Sequence, residues 1–417
     1  MIRTVHIARY VLAEAGMLHR NAAVHISDPG RITRLEPWQS PPPNLQTKVI
    51  DWGSAIILPG LVNAHSHLEL SRWKRRAGGP GTFTVWLQDL IGERRKWSRE
   101  DFLESVREGA LLSLAAGTTL VGDISTAGVS GEALKTEKLR KVVFEEVLSF
   151  APDQADDCLA GLRRRLQRTE CDSLLNSGVS PHAPYSVSPR LYREVAELAR
   201  AMGLRLATHV AESREELEFL ARGTGDLRSF LTGLDAWQAG WVAPGMPPVP
   251  YLDGLGCLEQ PAILVHCNYL DEDSMALVLS RSCSIVYCPR SHAFFGHDPH
   301  PVRRLLDMGI NVAIGTDSLA SNDSLSILDE MRFLFRTRKD LKCDEILRMA
   351  TLNGAVALDF GNVLGRLRRG CWADMTILRL PDGINDRHVL SQVLEGAGEY
   401  LATVVQGEIV WSSLPVP

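Results

Sequence analysis

The sequence contains no uninterrupted apolar stretch of the about 20 residues that a membrane-spanning helix needs. Its first residues also lack the long apolar core of a secretory signal peptide. The eight cysteines are scattered, without a C-x-x-C pair and without the dense spacing of a disulfide-rich domain. We therefore expect a cytoplasmic protein with reduced cysteines and no membrane partner.

Basic residues are not in excess, because 45 lysines and arginines stand against 50 aspartates and glutamates, for a formal net charge of −5. Nucleic-acid binding requires a positively charged surface, so this balance argues against a DNA or RNA partner. The composition, 45% hydrophobic and 23% charged, is that of an ordinary globular protein. With 417 residues, the chain could form two or three average domains or one large barrel with additions.

Eight strand-like runs, each ending in polar residues, alternate with helix-like stretches through the middle of the chain. Such alternation predicts an α/β fold of the (β/α)₈ barrel type, which typically takes about 250 residues. We place the barrel at residues 58–364. The runs cover residues 55–67, 118–126, 141–150, 177–186, 204–213, 262–268, 284–292 and 310–318.

The two ends of the chain, residues 1–57 and 365–417, show short strand patterns separated by turns. Each flank is too short to fold alone. We expect the flanks to pair with each other in a small β-sandwich beside the barrel.

Two helices have boundaries that the sequence predicts. Ser188 fits an N-cap, Pro189 fits the first helical position and Gly203 fits the end of the same helix. A second helix is expected after the eighth strand, with Asp323 as its cap.

Histidines and an aspartate stand where the predicted strands end. In a parallel barrel these ends all lie on one face, and an H-x-H pair on a strand directs both imidazoles to the same side. Burying each polar group for a separate reason would cost desolvation each time, so a shared site is favoured. The residues are His65 and His67 after the first strand, then His182, His209, His266 and Asp317 after the fourth, fifth, sixth and eighth.

The ordered set PGLVNAHSH, THVAES, LVHC and GTDS resembles the amidohydrolase superfamily, and the resemblance covers almost the whole chain. SPHAPYSVSP (180–189), the H-x-x-E of His209 and Glu212, and residues 315–332 resemble its deaminase and chlorohydrolase branch. That branch includes S-adenosylhomocysteine, guanine and aminodeoxyfutalosine deaminases, and residues 315–332 look closest to the last of these. The barrel with a flanking β-sandwich is the fold that the resemblance implies.

The resemblance implies one divalent metal ion, held by His65, His67, His209 and Asp317. Imidazole and carboxylate ligands suit Zn²⁺, with Fe²⁺ as the alternative, better than Mg²⁺ or Ca²⁺. A catalytic ion of this kind keeps a position for water and lowers the pKa of that water to about 7.

Three residues are the candidate catalytic groups that the resemblance implies. Asp317 would take the proton of the water, and His266 would stabilise the negative charge that develops on its oxygen. Glu212, three residues beyond His209, would protonate a ring nitrogen of the substrate while the neighbouring carbon is attacked.

Four residues are candidates for substrate contacts. His182 lies in a stiff His-Ala-Pro-Tyr loop at the barrel mouth. Glu69 either touches the substrate or orients a metal ligand, or else it is a solvated loop carboxylate. Trp86 either stacks on a heterocycle or lies in the core-facing stripe of an amphipathic helix. Arg290 follows the seventh strand and could read the polar edge of the substrate.

Other polar residues near the strand ends are assigned structural positions. A second metal ion would need a bridging side chain, but Lys141 lies at the wrong end of the third strand. Glu145 or Glu146 could face the barrel mouth, and the simpler interpretation is that one packs inside and the other faces out. His297 and His300 are expected on the loop surface.

The sequence predicts a metal-dependent aminohydrolase that converts a purine-like or nucleoside-like amino heterocycle, of the adenosine or aminodeoxyfutalosine type, to its oxo form with release of ammonia. A chlorohydrolase or cyclic-amide hydrolase on the same scaffold is the alternative, and Glu212 favours the deaminase because ring protonation helps to expel an amine. A non-catalytic binding protein is a third hypothesis, against which the complete ligand set argues. The exact substrate and the oligomeric state are not fixed, and a homo-oligomer is compatible with the sequence.

Overall fold

The computed structural model describes residues 3–39, 47–73, 79 and 81–414 of the chain. Within these residues the strands form two sheets of eight strands each. The strands are β1 (Arg3–Glu14), β2 (Met17–Ser27), β3 (Arg31–Pro37), β4 (Thr47–Asp51), β5 (Ala55–Pro59), β6 (Leu61–Ser66), β7 (Thr118–Ser125), β8 (Arg140–Val147), β9 (Leu175–Pro181), β10 (Arg205–Val210), β11 (Ile263–His266), β12 (Ser284–Tyr287), β13 (Asn311–Ile314), β14 (Met375–Arg379), β15 (Glu399–Val405) and β16 (Glu408–Ser412).

Most of the helices connect the strands of the central sheet. No helix in the described part of the chain is long and apolar enough to cross a bilayer. The helices are α1 (Phe83–Arg94), α2 (Arg99–Ala115), α3 (Ser130–Ala133), α4 (Ala155–Arg168), α5 (Pro189–Met202), α6 (Arg214–Arg222), α7 (Asp226–Gly233), α8 (Pro248–Gly254), α9 (Glu272–Ser280), α10 (Pro289–Phe295), α11 (Val302–Asp307), α12 (Ile327–Thr337), α13 (Cys343–Met349), α14 (Leu352–Ala357) and α15 (Val389–Glu395).

Strands β6 to β13 form a parallel sheet in which the spatial order equals the sequence order. A parallel bridge between Ser66, at the end of β6, and Asp317, just beyond β13, brings the two edges together. All residues of β7 and β8 are buried, as expected for strands that are covered by helices outside and by side chains inside. The predicted (β/α)₈ barrel is therefore confirmed.

The two flanks of the chain pair with each other, as predicted. β5 from the N-terminal flank runs antiparallel to β14 from the C-terminal flank, from Ala55 opposite Arg379 to Pro59 opposite Met375. The flanking strands form one continuous sheet in the order β16-β15-β14-β5-β1-β2-β3, with β4 paired to β1. Apolar residues of both flanks share one buried cluster, which includes Val11, Ile57 and Ile377.

A buried ion pair connects the barrel to the flanking sheet. The guanidinium of Arg140, at the start of β8, donates through Nε to Asp374 Oδ2 at 3.1 Å and through Nη2 to Oδ1 at 3.2 Å. Both side chains are almost completely buried. Removing one partner would leave an uncompensated charge in a medium that solvates it poorly.

We expect Arg140→Met to lower the free energy of unfolding by about 3–5 kcal/mol, measured by denaturant titration. Arg99→Met is the control, because it breaks an exposed pair with Glu132 and should leave the unfolding curve unchanged. Equal losses in the two variants would contradict a special role for the buried pair.

The predicted caps are right for one helix and wrong for the other. Ser188 caps α5 by accepting from the backbone N–H of Leu191, and Gly203 ends the helix at φ +65°. Helix α12 is capped by Ser326 instead of Asp323. Asn322 Oδ1 accepts from the backbone N–H of Asp323 at 2.8 Å, which keeps this segment in a loop and delays the helix.

Candidate active site

Four side chains at the mouth of the barrel converge on one point. His65 and His67 come from the end of β6, His209 from β10 and Asp317 from the turn after β13. Nε2 of His67 lies 3.3 Å from Nε2 of His209. Asp317 Oδ1 lies 3.5 Å from Nε2 of His67 and 3.7 Å from Nε2 of His65. Tetrahedral ligands about 2.0–2.1 Å from a zinc ion stand about 3.3–3.4 Å apart, so the spacing fits one shared ion.

The protonation of the histidines also fits a metal ion. Burial lowers the pKa of His67 and His209 well below the ordinary value, so both rings are neutral and can coordinate. Nδ1 of His209 donates to the carbonyl oxygen of His182 at 3.1 Å, which leaves Nε2 with its lone pair. Nε2 of His65 is buried without a hydrogen-bond partner. A metal ion bound to this nitrogen would account for its missing hydrogen-bond partner.

Asp317 is held by groups on the side away from the histidines. Its Oδ2 accepts from Ser291 Oγ at 2.8 Å and from Ser321 Oγ at 2.6 Å, and Oδ1 remains free for an ion. Its backbone adopts φ +58°, a strained conformation for a residue other than glycine. The backbone N–H groups of Thr316 and Asp317 stabilise this turn by donating to the carbonyl oxygen of His65.

Glu212 and His266 lie next to the four candidate metal ligands. Nε2 of His266 is 3.4 Å from Oε1 of Glu212. Burial raises the pKa of Glu212 well above its ordinary value, which favours the protonated form of this carboxyl. Burial lowers the pKa of His266 to about 3, so its ring is neutral. The backbone N–H groups of Ala211 and Glu212 donate to the Glu216 carboxylate at 3.0 and 2.9 Å, which fixes the position of Glu212.

A cavity of about 450 Å³ opens above these residues, which is the size of a small-molecule site. Its floor is polar and its walls are largely apolar. The floor contains His67, His182, His209, Glu212, His266 and Asp317, and the walls include Phe83, Trp86, Leu87, Phe150, Tyr185, Phe230 and Leu231.

Two of the predicted substrate contacts line this cavity and two do not. His182 lines the floor and Trp86 lines the wall, where its indole Nε1 donates to the carbonyl oxygen of Ala320 at 3.3 Å. Arg290 lies outside the lining, because its guanidinium donates to Ser324 Oγ at 2.8 Å and pairs with Asp323 at 3.3 Å. Arg290 belongs to α10, and its guanidinium contacts the loop before α12 instead of the cavity.

Glu69 also lies outside the cavity lining. Its carboxylate accepts from Ser125 Oγ at 2.9 Å and from the backbone N–H groups of Thr126 and Ala127 at 3.1 and 2.8 Å. Arg94 lies 3.6 Å from the same carboxylate. Glu69 is thus a buried residue that holds the turn after β7, and it is not a solvated loop carboxylate.

Glu146 and Arg94 also line the cavity. Glu146 is one of the two carboxylates that could face the barrel mouth according to the sequence, whereas Arg94 was not anticipated. The only signal for Glu146 was strand alternation, which requires adjacent residues to face opposite sides. Accordingly Glu145 faces away and pairs with Arg165 at 2.8 Å. No pattern in the sequence indicates that Arg94 lies at the cavity, because its position depends on how α1 packs over the barrel mouth.

The expectation that His300 lies on the surface is wrong. Its side chain is buried, and its Nε2 donates to the carbonyl oxygen of His266 at 2.9 Å. The ring also stacks on Tyr287 with centroids 3.8 Å apart. His297 is partly buried and hydrogen-bonds the hydroxyl of Tyr269 through Nδ1. These contacts could not be read from a loop sequence.

A second group of potential ligands consists of Glu146, His182 and His209, whose ligand atoms lie within 4.8 Å of one another. His209 has one free nitrogen, because its Nδ1 donates to a backbone carbonyl. That nitrogen faces His67 in the first group. A second ion would therefore retain two protein ligands, fewer than the three or four of typical zinc sites.

Comparisons with known proteins agree with this geometry. Residues 56–410 match the model of the amidohydrolase family. The 5-methylthioadenosine/S-adenosylhomocysteine deaminase of Nitratidesulfovibrio vulgaris is 33% identical over 349 residues, which are 80% of this chain and 73% of that protein. The structure of Helicobacter pylori aminofutalosine deaminase in complex with methylthio-coformycin has a TM-score of 0.85 at 23% identity and covers 98% of this chain and 100% of that one. The structure of an adenosine deaminase of Xanthomonas campestris with bound zinc has a TM-score of 0.82 at 26% identity and covers 97% of this chain and 92% of that one. The chain therefore belongs to the amidohydrolase family.

Proposed function

We propose that the protein is a zinc-dependent aminohydrolase that removes the amino group from a purine nucleoside of the adenosine or aminodeoxyfutalosine type and releases ammonia. The observation that carries this proposal is the position of Glu212, a buried carboxyl whose raised pKa favours its protonated form, beside the candidate metal ligands and His266 in one cavity. The names of the similar proteins support the same reaction class.

The side chains divide the chemistry between them. A bound zinc ion would supply a Lewis acid that makes water nucleophilic at neutral pH. Asp317, oriented by Ser291 and Ser321, accepts a proton from this water. Glu212 donates a proton to the ring nitrogen next to the carbon that is attacked, and neutral His266 donates a hydrogen bond to the oxygen on which negative charge develops. Asp317 then gives the proton that it accepted to the amino group, which leaves as ammonia, while the new hydroxyl group becomes a carbonyl by returning its proton to Glu212.

The cavity walls suit the rest of such a substrate. The rings of Phe83 and Trp86 lie with centroids 6.1 Å apart and form one apolar wall of the cavity. A flat heterocycle gains contact area and stacking energy on aromatic side chains of this kind. Trp86 is thus proposed as a substrate contact, together with His182.

The alternative functions are less well supported by the same residues. A chloride leaves as a stable anion without prior protonation of the ring, so a chlorohydrolase has less need of a protonated Glu212. A binding protein without catalysis would not need a ligand set with the spacing of a single ion. A cyclic-amide hydrolase uses the same water chemistry but gives a ring-opened acid and no ammonia.

The test is a product assay on purified protein of measured zinc content. Adenosine, 5′-methylthioadenosine, S-adenosylhomocysteine, aminodeoxyfutalosine and guanine are compared with a chloro-triazine and a hydantoin. We expect ammonia from at least one nucleoside, loss of this activity after chelation and recovery with Zn²⁺. Chloride release from the triazine, or ring opening of the hydantoin, as the fastest reaction would contradict the proposal.

A further inference from the structure

His266, which is proposed to stabilise the developing negative charge, lies at the centre of a strained turn. Its φ is +69°, and the backbone N–H of Cys267 donates to the carbonyl oxygen of Val265 at 3.1 Å, across His266. A positive φ with a hydrogen bond between residues two positions apart is typical of a γ-turn of the rare, strained kind. Cys267 itself has φ +54°. Two such residues in succession persist only where other contacts hold the backbone.

His300 contacts this turn and lies outside the cavity lining. Its Nε2 donates to the carbonyl oxygen of His266 at 2.9 Å, and its side chain is buried and is not among the residues that line the cavity. Its Nδ1 is buried without a hydrogen-bond partner. An unsatisfied buried nitrogen makes histidine a costly residue with which to fill a core position, and an apolar ring would fill it without that cost. The hydrogen bond to His266 therefore accounts for an imidazole at this position.

The ring of His300 is itself held in place. It stacks on Tyr287, with centroids 3.8 Å apart and an angle of 16° between the planes. Arg338 Nη1 donates to the backbone carbonyl oxygen of His300 at 2.8 Å, and Arg338 is fixed by its ion pair with Asp340 at 2.7 Å. Because the donor is held on both its ring and its backbone, its hydrogen bond constrains the acceptor, which is the backbone of His266.

The backbone of His266 determines where its ring lies. The ring centroid is 5.5 Å from that of His209, and Nε2 is 3.4 Å from Glu212 Oε1. A rotation of the strained turn would move the imidazole out of this arrangement. We propose that His300 is a positioning residue, whose hydrogen bond fixes the turn at His266 and so directs the His266 ring toward the oxygen on which negative charge develops. The proposal rests on the proposed function and adds a residue that affects the reaction from outside the cavity.

The test separates the hydrogen bond of His300 from its packing. His300→Phe keeps a ring that can stack on Tyr287 and removes the donor, whereas His300→Gln keeps an N–H donor of similar reach and removes the ring. The substrate is adenosine or 5′-methylthioadenosine, whichever releases ammonia faster with wild-type protein. We expect kcat of His300→Phe to fall about 10- to 100-fold with KM little changed, less than the about 10²–10³-fold of a lost oxyanion donor.

His300→Gln should show the opposite pattern. We expect it to retain most of the wild-type kcat but to unfold at a lower denaturant concentration than His300→Phe, because the stacking on Tyr287 is lost. Wild-type kcat in His300→Phe, or equal losses of kcat in both variants, would assign His300 to packing alone and overturn the proposal.

Two controls show whether the effect passes through His266. His297→Phe makes the same change in the same loop, but His297 hydrogen-bonds the hydroxyl of Tyr269, so we expect wild-type kcat. In a His266→Ala background, adding His300→Phe should lower kcat no further, because the effects of residues that act through one group are not additive. A loss in His297→Phe as large as in His300→Phe would indicate damage to the loop. That result, or a further loss in the double variant, would overturn the proposal.

A crystal structure of His300→Phe separates the failure of this proposal from the failure of the proposed function. We expect the backbone of His266 to depart from φ +69° and its ring to leave its position beside Glu212. If no nucleoside is deaminated, the proposed function fails, and this displacement decides the positioning role alone. An unmoved His266 in that structure would overturn the positioning role, whatever the activity of the variant.

Discussion

Replacing Glu212 with glutamine will abolish most of the turnover and leave the metal bound. Glutamine has the size of glutamate and can keep a hydrogen bond with His266, which lies 3.4 Å from the carboxylate. The amide of glutamine is not acidic, so it cannot protonate the ring nitrogen. Because a positioned general acid contributes about 10²–10⁴-fold, we expect kcat for ammonia release to fall by that factor.

The zinc content distinguishes a lost proton donor from a damaged site. Elemental analysis of Glu212→Gln should give the same zinc per chain as wild type, because Glu212 is not in the ligand set. Glu215→Gln is the control, since Glu215 belongs to the same segment and is not among the residues that line the cavity. It should keep full activity. Wild-type turnover in Glu212→Gln would contradict the proposal that Glu212 donates a proton. Loss of zinc in this variant would indicate instead that Glu212 supports the metal ligands.

The convergence of His65, His67, His209 and Asp317 could be predicted because it follows from strand geometry. Side chains alternate along a strand, and the carboxyl ends of parallel strands share one face of a barrel. The sequence shows which residues stand at those ends. The structure brings these four together for that reason, although they are up to 252 positions apart in the chain.

Residues in loops could not be placed by the same argument. Glu69 and Arg290 follow strands just as the ligands do, yet each turns away from the cavity to hold a loop. Ser291 stands next to Arg290 and supports Asp317 instead. Whether such a residue faces the cavity depends on the path of the backbone after the strand ends. That path is set by tertiary contacts and has no periodicity in the sequence. His300 shows the same limit, because its burial comes from stacking on Tyr287.

The buried carboxylates on β8 lie between these two cases. Alternation showed that Glu145 and Glu146 face opposite sides of the strand, but not which one faces the cavity. The choice is made by Arg165 on α4, which pairs with Glu145. Only the packing of a helix against the outside of the barrel reveals this, and it leaves Glu146 at the wall of the cavity.

We expect Asp317→Ala to lose both the bound metal and the activity. No other single substitution among the four proposed ligands should reduce both as strongly. Asp317 supplies the one carboxylate among the four proposed ligands and is also the proposed base. We expect less than stoichiometric zinc after purification and a fall in kcat larger than the about 10²–10⁴-fold of a lost general base alone. Both are measured on the same preparation, by elemental analysis and ammonia release.

Ser321→Ala provides a graded comparison, because it removes one donor to Asp317 Oδ2 and leaves the carboxylate in place. Loss of such a support typically costs 10–100-fold in metal affinity. Excess Zn²⁺ should therefore restore Ser321→Ala but not Asp317→Ala. Asp323→Ala, in the loop before α12, should keep both zinc and activity. If excess zinc restored wild-type turnover to Asp317→Ala, the carboxylate would be a ligand only, and the base would have to be sought elsewhere in the cavity, with His266 as the first residue to test.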